Sequence, residues 1–345
     1  MGFFDKMFGP KESAAETAAA AVAPARDLFS ALSLQLRGEI GQALDAYRQL
    51  GAERPDDTLA PFLAAAALAE QGDTAGGAEA LRELSRRVAS GGEDAISRAV
   101  ARDLFALVND EPALDVPRLA ELIVTFGDRL KGEGFLQEGA VCFEVAAGIL
   151  PEHASVLHRL GDTLHDLGVY DYAEAVLAKA LEFAPNHWDS LYTYAVLLQD
   201  LGRFDEAIAC YEKAVKINPD HVKCHNNYGA ALMLTGRLDE ALEQCARAAE
   251  LDPSFTLAKV NLGNIHLLKQ EYDSARSCFS AALGLDDRLA PAYFGLGAVE
   301  QSSGGAPARI RELYARAVEL SPNNPQFYEA LANLPAPEGE QAGEA

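Results

Sequence analysis

Leu201-Gly202-Arg203-Phe204-Asp205-Glu206-Ala207-Ile208, continued by Tyr211-Glu212-Lys213-Ala214-Val215 and closed by Pro219, decides how the chain is read. Gly202 separates two apolar patterns of helical period, Leu191, Tyr194 and Leu198 before it and Phe204, Ile208 and Tyr211 after it. A glycine between two helices supplies the left-handed residue that a C-terminal cap needs, and a proline ends the second helix because it cannot donate to the ladder. The stretch predicts two antiparallel helices with facing apolar sides. One such pair cannot bury those sides alone, so neighbours are required.

The neighbours are written at a fixed spacing. Gly127, Gly161, Ala195, Gly229, Gly263 and Gly297 each follow the last by 34 residues. Ala146, Ala180, Ala214, Ala248 and Ala282 keep the same step, with Ala317 one residue late, and Pro151, Pro185, Pro219 and Pro253 do likewise before Asp287 interrupts and Pro322 resumes. Small residues at fixed points let helix backbones approach closely, while Gly134, Gly168, Gly202, Gly236 and Gly304 sit between the two helices of a unit. A period of this length is the mark of a stacked array, which grows by adding units and escapes the size limit of a single core.

With these residues in place the chain resembles the tetratricopeptide repeat family. The resemblance implies an all-α, right-handed superhelical solenoid of antiparallel helix pairs, and six regular units at 120–153, 154–187, 188–221, 222–255, 256–289 and 290–324. Upstream, Gly38, Ala43, Tyr47, Pro55, Gly72 and Leu81 fit two degenerate pairs over 24–91, and an irregular helical connector spans 92–119 with a candidate hinge at Asn109 to Pro117. A closing helix is expected at 325–334, with Glu329 and Asn333 facing water; segments 1–23 and 335–345 are expected to be flexible and disordered.

Composition limits the partners. With 29 basic against 52 acidic residues the net charge is -23, which repels nucleic acid and anionic membrane surfaces alike. Cys142, Cys210, Cys224, Cys245 and Cys278 form an odd set with no C-x-x-C pair, as reduced thiols in a cytosol do. No long apolar run or secretion signal appears, so a cytoplasmic protein is expected. A membrane or partner contact, if any, would come through the N-terminal cluster Phe3, Phe4, Met7 and Phe8.

The family resemblance implies that first helices of successive units line a concave groove. The second, fifth, sixth, ninth, twelfth and thirteenth places of a unit face it, giving Lys223, Asn226, Asn227, Ala230, Met233 and Leu234 in the unit at 222 and Leu257, Val260, Asn261, Asn264, Leu267 and Leu268 in the unit at 256. Arg159 and Tyr192 are candidates from the two units before. An amide offers donor and acceptor together, so stacked asparagines can pair with the backbone of an extended peptide. Asn227 and Asn261 stack only two deep, between Thr193 and Gly295, and asparagine is also the family's consensus residue there, so both readings stand. The family's clamp for heat-shock protein tails is not met, since His158, Asp162 and Asp166 stand where it needs Lys or Asn.

Other polar groups carry less. His158, Asp162, His165 and Asp166 share one helical face without a second helix to complete a metal site. His153, His187 and His221 recur at the end of three units and are expected as an exposed column of turn residues. His221, Cys224 and His225 lack the first cysteine of a haem attachment motif, leaving Cys224 as a buried thiol. No phosphate loop, nucleophile elbow or metalloprotease motif is present. The chain therefore reads as a non-catalytic scaffold or adaptor with no cofactor, holding a basic or neutral protein segment in its groove. The alternatives are a self-assembling structural scaffold and a regulatory subunit of a separately encoded enzyme.

Overall fold

The computed structural model describes residues 22–54, 56–88, 93–110 and 115–335; the Phe3, Phe4, Met7 and Phe8 cluster and the acidic tail lie outside them. The described residues form eighteen helices and no strand. They fall into two compact units, residues 1–193 and 194–345.

In unit 1, α1 (Val22–Leu36) pairs with α2 (Ile40–Glu53) and α3 (Leu59–Glu70) with α4 (Thr74–Arg87). The single helix α5 (Glu93–Asp110) packs against α7 (Leu136–Ile149), the partner of α6 (Val116–Gly132). The pair α8 (Ala154–Asp166) and α9 (Tyr170–Phe183) follows, and the boundary between the units falls inside α10 (Trp188–Asp200). Unit 2 continues with α11 (Phe204–Ile217) and then the pairs α12 (Val222–Leu234) with α13 (Leu238–Leu251), α14 (Thr256–Leu268) with α15 (Tyr272–Leu285), and α16 (Ala290–Ser302) with α17 (Pro307–Leu320). The short α18 (Pro325–Ala332) packs on α17, burying Phe327 and leaving Glu329 and Asn333 exposed. Within each unit the architecture is an all-α stack of antiparallel helix pairs.

Two local devices set the pairs. At the turn inside each pair the chain takes a left-handed residue: Gly134 has φ 89°, and the amide of Phe135 donates back to the carbonyl of Leu130 at 2.9 Å, closing α6 as a Schellman cap. The same turn after α14 is made by Gln270 at φ 62°, with Glu271 donating to His266 at 2.8 Å. The array therefore imposes the left-handed turn even where glycine is missing. The second device is close approach. A Cβ on Gly127 would lie 2.8 Å from the ring of Phe143, and one on Gly263 would lie 2.6 Å from Phe279; both rings are fully buried.

The histidine column is corrected. His153 is exposed, but His187 and His221 are half-buried and cap helix N-termini, the His187 Nδ1 accepting from the Ser190 amide at 3.3 Å and the His221 Nδ1 from the Cys224 amide at 3.0 Å. An imidazole takes the place of the usual Ser or Asp oxygen.

Candidate peptide-binding groove

The first helices α12 and α14 lie side by side in unit 2, because their partners α13 and α15 occupy the other layer. Asn226 sits between them and is only 5% exposed. Its Nδ2 donates to Asn227 Oδ1 at 3.2 Å, and its Oδ1 accepts from Asn261 Nδ2 at 2.9 Å. The three amides form one chain across the two helices. A direct stack of Asn227 on Asn261 is what the repeat spacing suggests; instead the buried Asn226 joins them, and a buried amide that is bonded at both ends is costly to disturb.

Around this chain the groove changes character. Lys223 is exposed about one turn before it and Asn264 half-buried about one turn after Asn261; among the described residues neither side chain has a hydrogen bond or ion pair. Apolar side chains stand in water nearby: Leu234 is 57% exposed, Leu257 46% and Leu268 56%. Leu234 and Leu268 hold the same place in successive units. Beneath the amides, His225 is buried and held by Gln244 at 2.8 Å and the Pro219 carbonyl at 2.9 Å. Sequence reasoning weighed His225 only as part of an incomplete haem attachment motif, because a histidine beside a run of groove residues gives no sign of pointing inward.

The remaining two candidates belong to unit 1 and are differently placed. Arg159 is ion-paired with Asp128, and Tyr192 stacks on Trp188 with ring centroids 5.6 Å apart and nearly parallel planes. On the same helix as Arg159, Asp162 and Asp166 both receive Lys131 Nζ, at 2.6 and 2.7 Å. Burial depresses the Lys131 pKa, but the hydrogen bonds it donates to the two aspartates, with their negative charge, outweigh it and leave the ammonium above the usual lysine range. His158 meets Thr193 Oγ1 at 3.1 Å. The carboxylates that shared a face with two histidines are thus committed to a lysine. Among the described residues no group of His, Cys, Asp and Glu is arranged to hold a metal ion.

The cysteines are packing residues. Cys142, Cys224 and Cys245 are buried and Cys210 and Cys278 half-buried, and burial pushes the Cys224 and Cys245 thiols up to about 12.

Tetratricopeptide-repeat family models match residues 152–220, 192–254 and 258–288. Residues 152–288 thus carry tetratricopeptide repeats. Among solved structures, a tetratricopeptide-repeat protein of Parabacteroides merdae aligns at 16% identity with a TM-score of 0.53, over 79% of this chain and 96% of that one. The pilF protein of Pseudomonas aeruginosa aligns at 15% identity and a TM-score of 0.54, over 64% of this chain and 99% of its own. YrrB, described as a TPR protein with an unusual peptide-binding site, aligns at 22% identity and a TM-score of 0.46, over 55% and 98%. For the first two, at these identities, the likeness is one of fold. No curated protein matches the chain. None of its described helices is long and apolar enough to cross a membrane.

Proposed function

We propose that this tetratricopeptide-repeat chain is a non-catalytic cytoplasmic scaffold that holds an extended segment of a partner protein against α12 and α14. The observation that supports the reading is the amide chain Asn261–Asn226–Asn227 bordered by the exposed Leu234, Leu257 and Leu268. Peptide recognition of this kind joins backbone hydrogen bonding, which is indifferent to sequence, with apolar pockets that select side chains. The Asn264 amide and the Lys223 ammonium remain available to the peptide's carbonyl groups. A segment without strong negative charge suits a chain this acidic, because like charges slow its approach.

The test compares capture from native extract by the wild-type chain and by Asn227→Ala/Asn261→Ala, with Leu234→Ser/Leu268→Ser as a second variant. One partner retained by the wild type and lost by both variants, each still fully helical, is the expected result. A partner held equally by all three chains would remove the groove from consideration. Recovery of the chain alone, growing in size with concentration, would favour self-assembly through its ends.

A further inference from the structure

Two imidazoles stand together in unit 1 between α8 and the start of α10: the rings of His158 and His187 lie 5.8 Å apart, centroid to centroid. Both are half-buried, and neither belongs to the amide chain of unit 2. The bonds of His187 fix its proton. Its Nδ1 accepts from the Ser190 amide at 3.3 Å, so that nitrogen carries no hydrogen, and the one N–H of the ring is on Nε2, 3.2 Å from Ser155 Oγ. Ser190 Oγ makes a further contact with Nδ1 at 2.9 Å, and Ser190 is fully buried. The neutral ring is thus part of the fold, because it satisfies one of the amides that a helix start leaves without a partner.

A second proton removes that acceptor. An Nδ1–H on His187 would face the Ser190 N–H; Ser190 Oγ could take the new hydrogen, but the amide would lose its bond. The imidazolium would also stand at the positive end of the α10 dipole and beside the other imidazole. A proton on His158 sets the same charge against the cap from the opposite side, where its Nε2 meets the buried Thr193 Oγ1 at 3.1 Å. The charges that reach the pair come from both helices: Arg159 on α8 adds to the repulsion, while Asp162 on α8 and Asp189 on α10 oppose it. Asp162 is already held by Lys131 of α6 and Arg159 by Asp128, and Asp189 is exposed. Among the described residues neither imidazole forms an ion pair with a carboxylate of α8, α9 or α10.

We propose that His158 and His187 form a pH-sensitive latch on α10, in which a proton taken up by either ring releases the N-cap and loosens the first turn of the helix. The native pair is the neutral one, so the latch holds at neutral pH and opens as the pH falls through the range in which histidines charge. The turn it holds carries the one tryptophan of the chain, Trp188, which stacks on Tyr192 with ring centroids 5.6 Å apart. Acid therefore unseats an aromatic pair at the start of a first helix. An asparagine in the place of His187 would cap the same amide with an oxygen that does not titrate.

The latch uses residues of unit 1 alone and stands or falls apart from the groove of unit 2. The Ser190 amide reports the cap, and Trp188 the turn. Hydrogen exchange of the full chain, read by NMR and expressed as protection factors so that the pH dependence of exchange itself cancels, should show Ser190 losing about tenfold in protection between about pH 8 and pH 5. The emission of Trp188 should shift over the same range while the helical circular dichroism stays constant. His187→Asn should keep its Ser190 protection at both ends of the range. Constant protection in the wild type overturns the proposal, as does an equal loss in His187→Asn or a loss spread evenly over every helix. The imidazole nitrogen shifts of the wild type give a check without substitution: a proton arriving on His187 Nδ1 with Ser190 still protected would also overturn it.

Discussion

The first helices of neighbouring repeats are tied together differently in the two units. In unit 1, α6 and α8 are linked by charge: Asp128 to Arg159, and Lys131 to both Asp162 and Asp166. In unit 2, α12 and α14 are linked by neutral amides around the buried Asn226. Both sets occupy the inward places of the same repeat, so the scaffold is indifferent to which is used. The chemistry left over is not. A charge ladder made of long side chains satisfies itself and leaves little for a ligand, whereas the short amides are anchored at one buried residue and leave Lys223 and Asn264 at their flanks. Among the described residues of unit 1, Arg118 and Arg129 on α6 have no ion pair, and Arg129 sits between the two rungs at Asp128 and Lys131.

If the packing beneath is common to both units, the same truncation should hurt both. Phe143 and Phe279 hold equivalent places and each fills the space opposite a glycine. Phe143→Ala and Phe279→Ala should each cost about 3–5 kcal/mol, read as a fall in the urea midpoint. A tolerated substitution in one unit alone would mean that the units differ in their cores as well as in their grooves.

The ladders themselves should separate by salt. Asn226→Ala leaves two amides without their shared partner and should cost about 1–3 kcal/mol, with the loss unchanged between low and high sodium chloride. Lys131→Met removes an ammonium that is 24% exposed from aspartates that are 39% and 42% exposed. Its cost should be at most about 1 kcal/mol and shrink as salt screens the pairs. Equal salt dependence in the two variants would break the comparison.

The smallest effect is confined to unit 1. Burial holds the His158 pKa below the usual histidine value; Asp162 and Asp189 oppose this without overcoming it, and His187 and Arg159 add to the fall. The unfolded chain takes up the proton near the ordinary histidine value of about 6.5, the folded chain only at lower pH. Stability from this group is therefore complete above that value and is lost as pH falls through the window beneath it. The urea midpoint of the wild type should drop more between pH 7 and pH 5 than that of His158→Gln, and parallel curves would sink the assignment.

The 34-residue period, the helix pairs and the close approach of small residues were legible in the sequence, because each depends on residues within one turn or one repeat. Gly134 and Gly202 announce their turns through a local backbone need that few other residues meet. Gln270 shows where local reading stops: its side chain argues against a left-handed turn, and the packing of α14 and α15 overrides it. Likewise His187 and His221 read as turn residues and prove to be caps, since capping depends on where the imidazole points. Asn226 was legible as a groove residue, while its burial between α12 and α14 follows from how those helices meet. A cleft in unit 1 draws Gln35, Glu70 and Arg129 from three helices spread over nearly a hundred residues, and no spacing rule links them. Repetition fixed what each helix pair would be; the distances between side chains of different pairs, which only packing sets, decided where partners could be held.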